Sequence, residues 1–208
     1  MAKDELALAI ANLEQDKVLA LVKERLQAGV KPMDIVNSLQ EGMVEVGNRF
    51  EKGEFFLSEL IFCGEIMKEA MKDLEPHLAG GGREYRGTVV IGTVKGDIHD
   101  LGKNIVVMLL KGAGYNVVDL GVDVAPEKFV EAARDTKTSL VAMSLLLTSC
   151  MDNMRKCVQA VKESGLNVKV LIGGPIIDEK VMEFTGADYG SSIASDATKI
   201  AAEVYGAA

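Results

Sequence analysis

The sequence lacks what nucleic-acid-binding and membrane-spanning proteins need. Its 208 residues carry a formal net charge of −8, so the basic surface that phosphate groups require is missing. No apolar run is long enough to span a bilayer, and the acidic, polar start MAKDELALAI does not resemble a secretory signal. These absences predict a cytoplasmic protein whose partners are neither nucleic acid nor membranes.

Cysteine and histidine are also scarce. The three cysteines, Cys63, Cys150 and Cys157, are odd in number and form no CxxC pair. This pattern indicates reduced thiols rather than a disulfide framework or a zinc site. The sequence has only two histidines, and one of them, His99, lies between two aspartates in a loop-like segment. This segment is therefore the first candidate functional site.

Residues 1–80 predict a helical domain. Apolar residues recur there at spacings of three and four, which is the helical period. Four helices are expected, and the fourth has Ser58 as its candidate N-cap and Pro76 beyond its end. A glycine-rich, charged linker over residues 81–87 is expected to follow and to act as a hinge.

Residues 88–208 predict a different architecture. Runs rich in β-branched residues alternate with helical segments, five of each. This alternation is typical of a parallel sheet that helices cover on both faces. The predicted fold is therefore an N-terminal four-helix bundle followed by an α/β, flavodoxin-like (Rossmann-like) doubly wound domain with a five-stranded parallel sheet.

Polar and small residues follow several of the predicted strands. In open parallel sheets, ligands bind beyond the carboxyl ends of the strands, near the topological switch point. The segments that reach this edge are VKGDIHDLGKN after the first strand, SLLLTSC after the third, GGPI after the fourth and GSS after the fifth. All four are expected to lie on one rim of the domain.

Asp97 and His99 have the clearest chemical meaning on this rim. They are two positions apart, so in an extended loop their side chains start on the same side. An aspartate beside a histidine can accept the Nδ1 proton, which leaves Nε2 as a lone-pair donor suited to a metal. Gly102, Gly173 and Gly174 would leave room for a large group to approach.

Simpler interpretations stay open for the same residues. A loop histidine beside an aspartate is often only a helix-cap hydrogen bond, and a Gly-Gly pair is common in turns. Other ligand sites have less support, because the sequence has neither GxGxxG nor the phosphate-loop motif. A receiver domain would need an aspartate where the third strand ends in Ser144. A divalent-metal site of Asp97, His99 and Asp100 would crowd three ligands into one short loop.

Three motifs in order resemble those of cobalamin-binding domains. GDIHDLGKNIV is similar to the DxHxxG signature of that family, SLLLTS to its SxL segment and IGGPI to its GG segment. The spacings fit, with about 45 residues from His99 to Ser144 and about 29 more to Gly173. Upstream, residues 41–71 resemble the helical cap that precedes the cobalamin domain in methionine synthase and in corrinoid methyl-carrier proteins. The resemblance covers nearly the whole chain.

The resemblance implies a role for each matching position. His99 would be the axial ligand of cobalt, and Asp97 would hydrogen-bond to it, so that these two are the expected catalytic pair. The other cofactor-binding positions would lie around the nucleotide tail of the corrinoid or over its methyl face. They are Gly96, Ile98, Asp100, Gly102, Ser144, Leu146, Thr148, Gly173 and Gly174 in the cobalamin domain, and Phe50, Leu57 and, more weakly, Leu60 in the cap.

Two positions depart from the family pattern. Where related domains complete the Asp–His relay with a serine or threonine, this register has Cys150, and a thiol is a poorer hydrogen-bond partner. Either Thr148 or Ser149 serves instead, or the relay ends at Asp97. The cap reads FLSEL where relatives often have FLPEL, a change expected to affect only the start of the helix.

The function implied by the resemblance is that of a corrinoid methyl carrier. Cobalamin or a related corrinoid, as cob(I)alamin, would take a methyl group from methanol, a methylamine, a betaine or an aryl methyl ether at one methyltransferase. As methylcobalamin it would pass that group to tetrahydrofolate or a thiol at a second methyltransferase. A reductase would reactivate cob(II)alamin, and the chain would be catalytic only with these partners.

Two alternatives share the cobalamin-binding domain. A cobalamin-dependent sensor or regulator can share the cap as well, but such proteins normally need an output module such as a basic helix-turn-helix. This acidic sequence contains no such module. A mutase small subunit is less favoured, because mutases place a barrel over the cofactor instead of a helical cap.

Overall fold

The computed structural model describes residues 4–78 and 85–206. These residues form two compact units, one of helices and one built on a parallel sheet. Residues 81–84 of the expected linker lie outside the described residues, so the linker, its role as a hinge and the domain bounds stay predictions. Within the described ranges, no helix combines the length and the apolar character needed to cross a membrane.

The helical unit contains the four helices that the apolar period predicts. They are α1 (Glu5–Ala11), α2 (Gln15–Gln27), α3 (Pro32–Glu51) and α4 (Leu57–Leu78). Helix α1 packs on α3, and α4 packs on α2 and α3. The approach of α1 to α3 is close because Gly42 has no side chain: a Cβ at this position would lie 1.9 Å from Ile10 Cγ2.

The ends of α4 differ from the sequence prediction. Ser58 is not the N-cap, because the helix already begins at Leu57. The Glu59 carboxylate instead accepts hydrogen bonds from Phe56 N and Ser58 Oγ, both at 2.9 Å. Pro76 does not lie beyond the end but inside the last turn. A proline there removes a single intrahelical hydrogen bond close to the point where the helix stops, so the helix tolerates it.

The second unit is a five-stranded, all-parallel sheet with the strand order β2-β1-β3-β4-β5. The strands are β1 (Thr88–Thr93), β2 (Asn116–Asp119), β3 (Leu140–Ser144), β4 (Lys169–Gly173) and β5 (Tyr189–Ser191). The helices are α5 (Leu101–Gly112), α6 (Pro126–Thr136), α7 (Met151–Glu163), α8 (Glu179–Thr185) and α9 (Asp196–Val204), with a 3₁₀ turn at Thr148–Cys150. The flavodoxin-like fold predicted from the alternating pattern is confirmed.

The sheet brings the predicted rim together. Val90 and Val141 belong to the core that also includes residues of α6, α7 and α8, while Ile91, Ala142 and Leu171 line the opposite face, where α5 and α9 lie. After β1 the chain turns to β2 on one side, and β3 then pairs with β1 on the other. The topological switch point therefore lies between β1 and β3, and their following loops are neighbours.

Candidate functional site

Asp97 joins the two loops at the switch point, and its side chain is fully buried. Its Oδ1 accepts a hydrogen bond from His99 N at 3.0 Å and lies 2.7 Å from His99 Nδ1. Its Oδ2 accepts hydrogen bonds from Leu146 N at 2.7 Å and Leu147 N at 3.0 Å, in the loop after β3. One carboxylate therefore orients the histidine and ties its loop to the neighbouring one.

These hydrogen bonds also set the proton positions of the pair. Burial raises the pKa of the Asp97 carboxyl, but the hydrogen bonds from Leu146, His99 and Leu147 outweigh this effect and bring the pKa to about 2. An ionised carboxylate only accepts, so His99 Nδ1 carries a proton, and in the neutral imidazole Nε2 is the atom with the lone pair. The His99 side chain is 48% exposed, which makes this lone pair accessible.

The relay that the sequence left open ends at Asp97. Within the part of the chain that the structure describes, Asp97 has no hydroxyl or thiol partner; its Oδ2 is occupied by backbone N–H groups. Thr148 and Ser149 are exposed in the 3₁₀ turn. The Cys150 thiol is buried and lies 3.9 Å from Ser149 Oγ rather than against Asp97.

Two further residues hold the site, and sequence reasoning missed both. Thr93, fully buried at the end of β1, donates a hydrogen bond through Oγ1 to His99 O at 2.9 Å. Lys103 in the first turn of α5 has a side chain that is only 2% exposed, and its Nζ donates to Asp119 Oδ2 at 2.5 Å and to Asn104 Oδ1 at 2.8 Å. A buried lysine needs such partners, and the pair fixes α5 to the end of β2. The only sequence signal for Lys103 was its position directly after Gly102, a glycine predicted to face the ligand.

A cavity of about 590 Å³ opens beside His99, on the face of the sheet that carries Ile91, Ala142 and Leu171. This volume lies in the range of roughly 300–1,000 Å³ that is usual for ligand pockets. The cavity brings together eight of the positions singled out from the sequence. They are Ile98, His99, Asp100, Gly102, Ser144, Leu146, Gly173 and Gly174. Ser191 and Ser192 of the GSS segment line it too, so four segments share one rim as expected.

The glycines of the cavity have two different physical roles. Gly174 has a φ of +146°, and a Cβ there would lie 1.9 Å from Leu145 O, so the fold itself requires glycine. At Gly102 a Cβ would meet nothing within 4 Å, and at Gly173 it would meet only Ser191 O at 3.8 Å. The fold does not need glycine at these two positions, which is consistent with space kept for a ligand.

The other predicted positions do not line the cavity. Asp97 lies behind His99, and Gly96, with a φ of +87°, forms the turn before it. Thr148 is exposed, as described above. In the helical unit, Phe50 near the end of α3 and Leu57 at the start of α4 are half-buried, and Leu60 is fully buried. The roles of these three over a ligand stay predictions.

The surroundings of His99 suit a large apolar ligand. Ile98 and Leu101 expose 72% and 63% of their surface close to His99 in the chain. Exposed apolar side chains next to a cavity are typical of ligand or partner surfaces. Among the described residues, no group of three or more His, Cys, Asp or Glu side chains is placed to hold a metal ion. The role of His99 Nε2 as a metal ligand stays a prediction.

Comparisons with known proteins decide which ligand this is. Two family models, each described as a B12 binding domain, match residues 87–198 and 2–75. The chain belongs to the family of B12-binding corrinoid proteins. A corrinoid is thus its cofactor, and the resemblance seen in the three motifs and the helical cap is confirmed.

Relatives of the corrinoid protein match it along almost its whole length. It is 36% identical over 200 residues to trimethylamine corrinoid protein 1 of Methanosarcina acetivorans, covering 93% of both chains. A solved cobalamin-binding protein from Desulfitobacterium hafniense is 35% identical, with a TM-score of 0.81 over 96% of both chains. A chain of the methanol:cobalamin methyltransferase complex MtaBC from Methanosarcina barkeri is 30% identical, with a TM-score of 0.84 over 98% of this chain and 79% of that one.

Proposed function

We propose that this corrinoid protein carries a methyl group between two methyltransferases, one specific for a methylated donor and one for an acceptor. The observation that carries the proposal is the His99 imidazole, oriented by a buried carboxylate, with a free Nε2 beside an apolar cavity. The names of the relatives support it, because one is a trimethylamine corrinoid protein and another belongs to a methanol:cobalamin methyltransferase complex. The sensor alternative has no support in these comparisons.

The donor and the acceptor are finer parts of this proposal. A methylamine or methanol is favoured as donor by the names of the relatives, and a betaine or an aryl methyl ether stays an alternative. The acceptor would be tetrahydrofolate or a thiol. A reductase would restore the cofactor after oxidation.

The residues of the cavity fit a corrinoid. His99 Nε2 would be the protein ligand to cobalt, and the cavity beside it would hold the nucleotide tail, with Gly102 and Gly173 leaving room for it. When bound, the corrinoid supplies a cobalt centre that accepts and releases a methyl group. Ile98 and Leu101 would exclude water around the ligating nitrogen.

Asp97 would keep the proton of the pair on His99. Both hydrogens that reach Asp97 Oδ2 belong to backbone N–H groups, which neither gain nor lose protons under ordinary conditions. Among the described residues, no hydroxyl group continues the pair from Asp97 into the protein.

The test is spectroscopic and uses full-length protein reconstituted with hydroxocobalamin. After reduction to Co(II), the EPR spectrum of the wild type is expected to show nitrogen superhyperfine splitting from the axial histidine, and His99→Ala is expected to lose it. Methyl transfer with purified candidate methyltransferases then identifies donor and acceptor. Absence of corrinoid uptake would contradict the proposed function as a whole. Identical spectra of wild type and variant would contradict the role of His99 as the cobalt ligand.

A further inference from the structure

Asp123 fastens the turn that precedes Asp97. Its backbone N–H donates to Asp97 O at 3.0 Å, and its Oδ1 accepts from Gly96 N at 2.8 Å. Its Oδ2 accepts from Lys95 Nζ at 2.8 Å. Asn153 of α7 holds the same turn from another side, because its Nδ2 donates to Lys95 O at 2.8 Å. The three residues before Ile98 are therefore fixed by two elements that are distant in sequence.

The backbone of Asp123 adopts a conformation that suits glycine or a short polar residue. Its φ is +55°, in the left-handed region that glycine occupies at least cost and that aspartate also tolerates. Unlike glycine, aspartate adds a carboxylate, which accepts the hydrogen bond from Gly96 N.

We propose that Asp123 is a positioning residue for the cobalt ligand. It fixes the Lys95–Asp97 turn, this turn sets the place of the Asp97 carboxylate, and that carboxylate orients the imidazole of His99. The inference rests on the proposed role of His99 as the axial ligand. It extends the site to the loop after β2. Asp123 lies in this loop and does not line the cavity.

The chain offers a matched control in Asp188. Its Oδ2 accepts a hydrogen bond from Val170 N at 2.9 Å, and its Oδ1 lies 3.4 Å from Lys169 Nζ, so it makes the same kinds of contact as Asp123. Asp188 lies at the beginning of β5, and Val170 lies near the beginning of β4. This is the amino edge of the parallel sheet, opposite to the site.

The variants distinguish the effect of losing the Asp123 carboxylate from the effect of changing the backbone conformation. Asp123→Gly keeps the positive φ accessible but removes the acceptor of the Gly96 hydrogen bond. Asp123→Asn keeps an oxygen acceptor and tolerates the left-handed region. Asp188→Gly removes an equivalent acceptor from the amino edge. Should Asp123→Gly not yield folded protein, Asp123→Ala replaces it, because alanine also lacks the acceptor.

The experiment measures the Co(II) EPR spectrum of each full-length variant loaded with cobalamin, together with its melting temperature. In Asp123→Gly, the ratio of histidine-ligated to unligated cobalt should fall about fivefold, the effect of losing one hydrogen bond of ordinary strength at a partly exposed site. Asp123→Asn should restore most of this ratio. Asp188→Gly should lower the melting temperature at least as much as Asp123→Gly, because the Asp188 side chain is the more buried of the two, and should keep the spectrum of the wild type.

The possible results distinguish this inference from the proposed function. A folded Asp123→Gly variant, or a folded Asp123→Ala variant in its place, with the spectrum of the wild type would overturn the positioning role alone. The same loss of ligation in Asp188→Gly would also overturn it, because the effect would then follow general stability. A wild type without nitrogen splitting would remove the axial role of His99 and, with it, the basis of the inference.

Discussion

Asp97 Oδ1 lies 2.7 Å from His99 Nδ1, and the same oxygen also accepts the backbone N–H of His99. The aspartate thus holds both the ring and the main chain of its neighbour. Thr93 fixes the carbonyl of His99 in addition. The direction of Nε2 is therefore set by the apoprotein, which reduces the ordering that ligand binding would otherwise require.

Replacing Asp97 by asparagine should exchange donor and acceptor in the hydrogen bond with His99 Nδ1. If the amide oxygen faces Leu146 N and Leu147 N, the amide NH₂ faces His99 Nδ1 and favours the tautomer with its proton on Nε2, which cannot ligate. We expect Asp97→Asn to lose most histidine ligation in the Co(II) EPR spectrum and about 1–3 kcal/mol of unfolding free energy in urea. Asp152→Asn, exposed on α7, is the control and should change neither. Full ligation in Asp97→Asn would contradict the tautomer argument.

Gly102→Ala should separate binding from stability. A methyl group at this position meets nothing within 4 Å in the apoprotein, and alanine favours a helix over glycine by about 0.5–1 kcal/mol. The melting temperature should therefore stay equal or rise. The affinity for hydroxocobalamin, measured by titration, should fall about tenfold or more if the ligand occupies this space, which corresponds to about 1.4 kcal/mol. Lys111→Ala in the last turn of α5 is the control, and unchanged affinity in Gly102→Ala would show that the ligand does not approach this position.

The Asp4–Arg25 pair should make the helical unit sensitive to acid. The Arg25 guanidinium hydrogen-bonds to Asp4, with Nη1 at 2.9 Å from Oδ2, and holds the pKa of that carboxyl well below its usual range despite its partial burial. Since the folded-state pKa is depressed, the stabilisation is present above the ordinary pKa of aspartate and is lost as the pH falls towards the folded-state value. Urea unfolding across a pH series should therefore show a loss of about 1–3 kcal/mol in the wild type at low pH. In Asp4→Asn this part of the pH dependence should be absent, and the difference between the two proteins should be largest near neutral pH.

Two of the three buried cysteines, Cys63 and Cys157, should be inert towards thiol reagents. Burial raises the pKa of the Cys63 thiol to about 12 and that of Cys157 to about 11, so that neither forms much thiolate near neutral pH. Labelling with iodoacetamide, mapped by mass spectrometry, should leave both unmodified in the folded protein and modify both in denaturant. Rapid modification of either in the native protein would indicate local opening.

The fold and the core of the site could be predicted because their signals are local. The strands are runs of β-branched residues, and Asp97, His99 and Gly102 lie within one short motif. The partners of these residues could not be predicted in the same way. Asp123 reaches Gly96 across 27 positions of sequence, and its contact depends on the path of a loop.

Backbone donors were the least predictable part of the site. The sequence left open whether the relay continues through Thr148 or Ser149 or ends at Asp97. It gave no sign that Asp97 Oδ2 is bound by two backbone N–H groups, which every residue except proline carries. The start of α4 was misjudged for a related reason. The local pattern favoured the short side chain of Ser58 as the cap, but the longer Glu59 carboxylate reaches Phe56 N.

Leu146 and Leu147 hold Asp97 through backbone hydrogen bonds, which do not depend on the side chains at these positions. Both side chains are more than a third exposed, with values of 39% and 37%, while their N–H groups point at a fully buried carboxylate. Substitutions in this loop can therefore change the wall of the cavity without removing the N–H groups that hold Asp97. Proline at either position is the exception, because it has no N–H, and it should lower histidine ligation where other residues that still bind the corrinoid keep it.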